Sequence, residues 1–197
     1  MNRKATILRT TKETDITVEI ALDGTGFIHS NCGIPFIDHM FASFAVHGGF
    51  DLTVECKGDT EVDDHHSAED LGICFGQAID EALEEKLGIN RFGHAIIPMD
   101  ESLVRVVLDL SGRPFIHFDV SLLEGRWTGN FDTGLVKEFF QAVAQNGNMT
   151  IHVDILKGGN PHHIVEAIFK AFGKALKEAV AIDEKRSIIL PSTKGLL

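Results

Sequence analysis

Asp63-Asp64-His65-His66-Ser67-Ala68-Glu69, followed by Phe75-Gly76-Gln77-Ala78-Ile79-Asp80-Glu81-Ala82-Leu83, is written a second time further along the chain. The later copy reads Asn160-Pro161-His162-His163-Ile164-Val165-Glu166, then Phe172-Gly173-Lys174-Ala175-Leu176-Lys177-Glu178-Ala179-Val180. His65 and His162 are 97 residues apart, as are Glu69 and Glu166, and Phe75 and Phe172. A frame shared by a polar motif and an apolar pattern marks an internal duplication of about half the chain.

Both copies read as helices. Ala68, Leu71, Gly72, Phe75, Ala78, Ile79 and Ala82 recur at i, i+3, i+4, i+7, as do Val165, Ile168, Phe169, Phe172 and Leu176. Asn160 is a good N-cap, and Pro161 suits the first helical position, where its missing N–H costs nothing. Asp63 takes the matching cap place in the first copy.

The segments before each motif correspond too. Phe50-Asp51-Leu52-Thr53-Val54-Glu55-Cys56 and Met149-Thr150-Ile151-His152-Val153-Asp154-Ile155 alternate apolar and polar residues, which predicts two strands. A helix is predicted before each, over Phe36–Val46 and Thr133–Gln145. Further strands are expected at Ala5–Leu8, Thr14–Ala21, Leu103–Asp109 and Phe115–Val120, with turns at Gly24-Thr25-Gly26 and Gly158-Gly159. Each half reads strands, helix, strand, helix. That predicts an α+β fold of two similar units, each a sheet with helices on one face. The first repeat is expected over residues 1–92 and the second over 93–185, with the seam near Arg91–His94. A tail over 186–197 carries Ser192 and Lys194.

Composition narrows the function classes. The chain has 197 residues, 44% of them hydrophobic and 24% charged, as globular proteins do. A formal net charge of −11 argues against nucleic-acid binding, which needs a basic face. No apolar run reaches membrane-spanning length, and Met1 to Thr11 lacks the apolar stretch of a signal peptide. Cys32, Cys56 and Cys74 form no C-x-x-C pair, and an odd count favours reduced thiols in a cytoplasmic protein.

The ten histidines are the compositional anomaly, and four of them form the adjacent pairs His65-His66 and His162-His163. Neighbouring residues point about 100° apart on a helix, so one pair can serve two different metals. Each glutamate follows its histidines by four and three residues, within reach of one ligand face. The helix N-terminus disfavours imidazolium, which helps keep these rings neutral and able to ligate. Imidazole and carboxylate without thiolate suit Mn, Fe, Zn or Ni. The bland alternative is a duplicated capping or packing motif. His39, in the helix before the first strand, matches Glu138 in the second half. Each half would then offer one ligand from the earlier helix and three from the motif helix.

At this point the residues resemble the imidazoleglycerol-phosphate dehydratase family of histidine biosynthesis. The resemblance covers nearly the whole chain. It runs through Arg9-Thr10-Thr11-Lys12-Glu13-Thr14, Phe36-Ile37-Asp38-His39-Met40, Asp64-His65-His66-Ser67-Ala68-Glu69-Asp70 and Pro98-Met99-Asp100-Glu101. It continues through Asp109-Leu110-Ser111-Gly112-Arg113-Pro114 and Asn160-Pro161-His162-His163. It implies a duplicated fold of the ribosomal protein S5 domain 2-like type and a 24-subunit shell with active sites between subunits. The form implied is monofunctional, without a phosphatase-like extension. It also implies two manganese ions (Mn2+) per site, held by His39, His65, His66, Glu69, His162, His163 and Glu166 with the residue at Glu138. Many relatives carry histidine there, whereas this chain reads Val136-Lys137-Glu138-Phe139-Phe140. Glutamate ligates hard cations, so a retained but altered site is expected.

The implied reaction dehydrates imidazole glycerol phosphate, removing hydrogen from a carbon with no carbonyl beside it. A metal-bound imidazolate would let the ring expel hydroxide through a diazafulvene-like intermediate, giving imidazole acetol phosphate after tautomerisation. By the same resemblance Glu13 is the leading proton-transfer candidate and His47 a second catalytic candidate, both expected near the substrate. Arg91, Arg113, Ser192 and Lys194 are the phosphate-binding candidates, and His39, His65 and Glu69 also meet the small phosphorylated imidazole. Taken singly, Glu13 reads as a solvated strand carboxylate, His47 as a helix-end histidine and the basic residues as surface charges. His152, in mid-strand, reads as structural. One rival is a dinuclear metallohydrolase, which would release phosphate from a phosphoester. A non-catalytic metal-binding shell protein is the other, and the basic tail Ser192-Thr193-Lys194 weighs against it.

Overall fold

The computed structural model describes residues 3–119 and 121–197. Its first half runs β1 (Lys4–Thr10), β2 (Thr14–Ala21), β3 (Ile28–Asn31), α1 (Pro35–Gly48), β4 (Asp51–Gly58) and α2 (His65–Leu83). The second half opens with β5 (Phe92–Met99), β6 (Ser102–Asp109) and β7 (Phe115–Phe118). A two-stranded ribbon, β8 (Trp127–Thr128) and β9 (Phe131–Asp132), precedes α3 (Leu135–Asn146), β10 (Thr150–Lys157) and α4 (Pro161–Val180). A short 3₁₀ turn, Glu184–Arg186, lies in the tail.

Each half folds one four-stranded sheet, in the orders β1-β2-β4-β3 and β5-β6-β10-β7. The final strand of each order is parallel to its neighbour, β3 to β4 and β7 to β10. Parallel neighbours need a crossover connection, and α1 and α3 supply it. Strand register extends the duplication beyond what the motifs display. Val18 pairs with Val54, and Val106 with Val153. Val18 and Val106 are 88 residues apart, whereas Val54 and Val153 are 99 apart. The extra residues fall before α3, where the ribbon is inserted. In this frame Glu13 corresponds to Glu101 and Thr14 to Ser102.

The α+β expectation and both motif helices hold. The short, half-exposed β3 and the start of a strand at Phe92 escape a reading based on alternation. The expected strand from Phe115 ends at Phe118, and its last expected residue, Val120, lies outside the described residues.

Ile16, Val18 and Ile20 on β2, like Val104, Val106 and Leu108 on β6, are buried and alternate with outward residues. Only one face of each sheet is covered. Helix α2 lies on β1 and β2, and α4 on β5 and β6. The helices then pair across the halves, α2 with α3 and α1 with α4. Gly72 and Gly76 on α2 and Gly173 on α4 set these crossings, and a Cβ at Gly72 would sit 2.5 Å from the Phe139 carbonyl oxygen. A Cβ at Gly76 would sit 2.7 Å from the Val143 carbonyl oxygen, and one at Gly173 would sit 2.7 Å from that of Phe44. Between the helices Phe41, Phe44, Phe75, Phe139, Phe169 and Phe172 are buried in mutual contact. Each such ring contributes about 1.5–3 kcal/mol on burial. An exposed ion pair contributes about 0–1 kcal/mol, so the rings packed at the seam outweigh the surface ion pairs.

Candidate metal centre and active site

The N-termini of α2 and α4 hold their histidines alike. The His162 N–H donates to Asn160 Oδ1 at 2.9 Å, and the His65 N–H to Asp63 Oδ1 at 2.8 Å. The residue flanking α2 is Asp64, whose side chain makes no capping bond, so Asp63 works from one place further out. The rings of His65 and His66 lie 6.2 Å apart at 87°, and those of His162 and His163 6.3 Å apart at 87°. In both copies the first histidine turns to the helix seam and the second to a strand hairpin.

At the α1–α4 seam, His39 Nε2 and His162 Nε2 each lie 3.3 Å from Glu166 Oε2. Ligand atoms of the three residues fall within 4.8 Å of one another. Two imidazoles and a carboxylate on one face form a donor set that a divalent cation fits. Burial pushes the Glu166 carboxyl up, but Lys170, 2.7 Å from Oε1, and His39 together pull it below its usual range. The grouping crosses the halves. His39 joins the motif of the second repeat, not that of its own, because α1 packs on α4.

The equivalent places on the α2–α3 seam hold Glu138, His65 and Glu69. His65 Nε2 lies 3.9 Å from Glu69 Oε2. Among the described residues Glu138 joins no such cluster. A cleft of about 890 Å³ connects the two seams, lined by His39, His65 and His162 with Phe36, Trp127 and Leu135.

The second histidines meet carboxylates. His66 Nδ1 lies 3.0 Å from Asp59 and 3.8 Å from Glu13. His163 Nδ1 lies 2.9 Å from Glu101 and 3.9 Å from Asp100. Hydrogen bonding to Asp59 raises the His66 pKa, and that to Glu101 raises the His163 pKa. These carboxylates act against the helix dipole, a full charge at 3 Å outweighing the partial charge of a helix end. Glu101 is pulled down to about 2, first by the Asn160 N–H at 2.7 Å and then by His163. Asp59 and Lys170 were not singled out from the sequence, and Asp100 and Glu101 entered only as part of the family stretch Pro98-Met99-Asp100-Glu101, with no site role. The signal for Glu101 was its equivalence to Glu13, visible only once strand register is known.

The phosphate candidates gather elsewhere. Arg91 clasps Asp109 at 2.7 and 3.1 Å and donates to the Pro191 carbonyl at 2.9 Å, so most of its fork is engaged. Arg113 is more open, 4.0 Å from the same carboxylate. Gly112 beside it has a φ of 69° and touches the Leu197 backbone, which folds the tail onto this loop. Ser192 Oγ donates to the Leu196 carbonyl and accepts the Lys194 N–H. This group sits at the C-terminal end of α4, since the Arg91 N–H donates to the Ala179 carbonyl. From His163 to Ala179 the helix rises about 24 Å. One chain therefore does not bring its anion-binding candidates to its histidines. His47, at the end of α1, has its pKa lowered by burial and then by Lys170 and Lys174.

The sequence model of the imidazoleglycerol-phosphate dehydratase family matches residues 32–176. The imidazoleglycerol-phosphate dehydratase of Heliobacterium modesticaldum is 53% identical over 99% of this chain and 100% of its own. That of Lachnoclostridium phytofermentans is 54% identical over 99% of this chain and 98% of its own. The crystal structure of the Staphylococcus aureus dehydratase superposes with a TM-score of 0.82 at 43% identity, covering 91% of this chain and 99% of that one. Structure, repeat and motif agree with these matches, and the chain belongs to the imidazoleglycerol-phosphate dehydratase family.

Proposed function

We propose that the chain catalyses the metal-dependent dehydration of imidazole glycerol phosphate to imidazole acetol phosphate, a step of histidine biosynthesis. One observation carries the reading: His39, His162 and Glu166 converge at the α1–α4 seam of a chain 53% identical to dehydratases of that name. Nitrogen and carboxylate donors without thiolate suit Mn, Fe, Zn or Ni, and manganese is the metal proposed from the family resemblance. His39, His162 and Glu166 would hold one ion, with Glu138, His65 and Glu69 at the matching places of the other seam. His66 and His163, turned at right angles, would serve the second ion of each site. Bound there, a cation supplies Lewis acidity at the ring nitrogens of the substrate.

Other steps fall to side chains. The carbon beside the ring loses its hydroxyl as water, the next carbon gives up its hydrogen, and the enol becomes the ketone. Glu13 would carry that proton, a reading supported by its half-exposed carboxylate beside His66 at the hairpin tip. His47, whose pKa is lowered by burial and then by Lys170 and Lys174, would be the second proton-handling group near the substrate. Arg113 and Lys194 would clasp the phosphate, Arg91 and Ser192 shaping their loop. The anion-binding end of one subunit must then meet the metal end of another, which supports a homo-oligomer such as the 24-subunit shell. Three buried free cysteines suit the cytoplasm.

Turnover of imidazole glycerol phosphate after stringent chelation, followed by manganese add-back, tests the reading. A ketone phosphate should form without free phosphate, and only when metal is restored. Full activity in metal-free enzyme removes the cation from the mechanism, and release of phosphate favours the hydrolase.

A further inference from the structure

The two hairpin tips carry equivalent glutamates with unequal duties. Glu101 is fully engaged. It accepts the Asn160 N–H at 2.7 Å, meets His163 at 2.9 Å, and accepts the Ser102 hydroxyl at 3.1 Å. Among the described residues the Glu13 carboxylate receives none of these bonds, and His66 Nδ1 lies 3.8 Å from its Oε2. Something else must hold its hairpin. On α2, one residue beyond Glu69, Asp70 is buried and reaches both strands of that hairpin. Its Oδ1 accepts from Arg9 Nε on β1 at 2.9 Å, and its Oδ2 from the Thr14 hydroxyl on β2 at 2.5 Å. Thr14 is the neighbour of Glu13, and Thr11 Oγ1 closes the turn between them by accepting the N–H groups of Glu13 and Thr14.

The second half lacks this clamp. Ala167 stands at the place of Asp70, and Ser102, the counterpart of Thr14, gives its hydroxyl to Glu101 itself. We infer that Asp70 is a positioning residue for Glu13. By holding β1 and β2 through Arg9 and Thr14, it fixes the hairpin tip over the motif helix and spares the Glu13 carboxylate a structural bond. The inference rests on Glu13 as the proton carrier. A glutamate with no bond of its own can be aimed only by the backbone that bears it, and sub-ångström aim governs proton transfer.

The test is a double-mutant cycle on manganese-loaded enzyme turning over imidazole glycerol phosphate. Thr14→Val removes one arm of the clamp, together with the 3.1 Å contact of that hydroxyl with Thr11 Oγ1, and Asp70→Ala removes both arms while leaving that contact in place. Thr14→Val should lower kcat about tenfold with KM and bound manganese unchanged, and should lower Tm by about a few degrees, because it unpairs one oxygen of the buried Asp70 carboxylate. Amide exchange at Glu13 and Thr14 should quicken. In a Glu13→Gln background the same substitution should cost less than about twofold, because both changes act through one carboxylate. Asp70→Ala should follow the pattern with a larger loss; if it fails to fold, Thr14→Val decides. A Thr14→Val kcat within about twofold of wild type overturns the inference, as does an equal fold-loss in both backgrounds. A Glu13→Gln enzyme with full rate defeats the role of Glu13 itself, whatever Asp70 does.

Discussion

The α1–α4 seam and the α2–α3 seam are built on one plan and finish differently. Each is crossed at a glycine, Gly173 or Gly76, whose missing Cβ admits a backbone carbonyl of the facing helix. Each presents the first histidine and the glutamate of a motif. At the first seam His39 completes a trio with donors within 4.8 Å; at the second, Glu138 stands in the equivalent place and completes none among the described residues. Duplication copied the scaffold, and single side chains then decided how far each copy went as a ligand site. The hairpin tips tell the same story: Glu101 became part of the frame, while the Glu13 carboxylate takes no hydrogen bond among the described residues.

The largest effect should come from the assembled trio. His162→Ala is expected to weaken manganese retention about 100-fold or more, since even outer-shell partners of a metal site carry 10–100-fold. Inductively coupled plasma measurements after gel filtration would show it, and wild-type metal content would dismantle the contrast between seams. Next come the crossings. Gly173→Ala and Gly76→Ala should each destabilise the chain by about 1–3 kcal/mol, overpacking outweighing the roughly 1 kcal/mol that alanine gains in a helix. Denaturant titration should give two similar values, and a large disparity would mean that the seams do not share one packing geometry.

Glu138→Ala should weaken metal retention by about tenfold at most, less than His39→Ala, because its carboxylate lacks a seated partner. Wild-type metal content and rate in that variant would remove Glu138 from the ligands.

A smaller difference concerns pH. Asp51 accepts the N–H groups of Thr25 at 2.7 Å and Phe27 at 2.9 Å, which hold its pKa below the usual value of 3.8. Its counterpart Thr150 instead donates a neutral bond to the Arg113 carbonyl. A depressed carboxylate stabilises above its unfolded pKa and loses that contribution as pH falls through the folded one. Amides of Thr25 and Phe27 should therefore lose protection below about pH 3.8, while the loop at Arg113 does not. Equal loss in both loops would show that acid acts on the fold as a whole.

The amino-acid order alone determined the duplication, both motif helices with the Asn160 and Asp63 caps, and a donor set without sulfur. Those are local matters of periodicity, capping and residue type, legible within a few turns of chain. Only the folded chain decided that His39 serves the motif of the opposite repeat, that Glu101 answers Glu13, and that Asp70 grips a hairpin. Each depends on strand register or on which helix crosses which. Long-range packing settles those choices, and the shifting offset of 88, 99 and 97 residues between equivalent positions hides them from a linear reading. The separation of Arg113 and Lys194 from the histidines by the length of α4 is of the same kind, since a helix fixes distance only once both its ends have been placed.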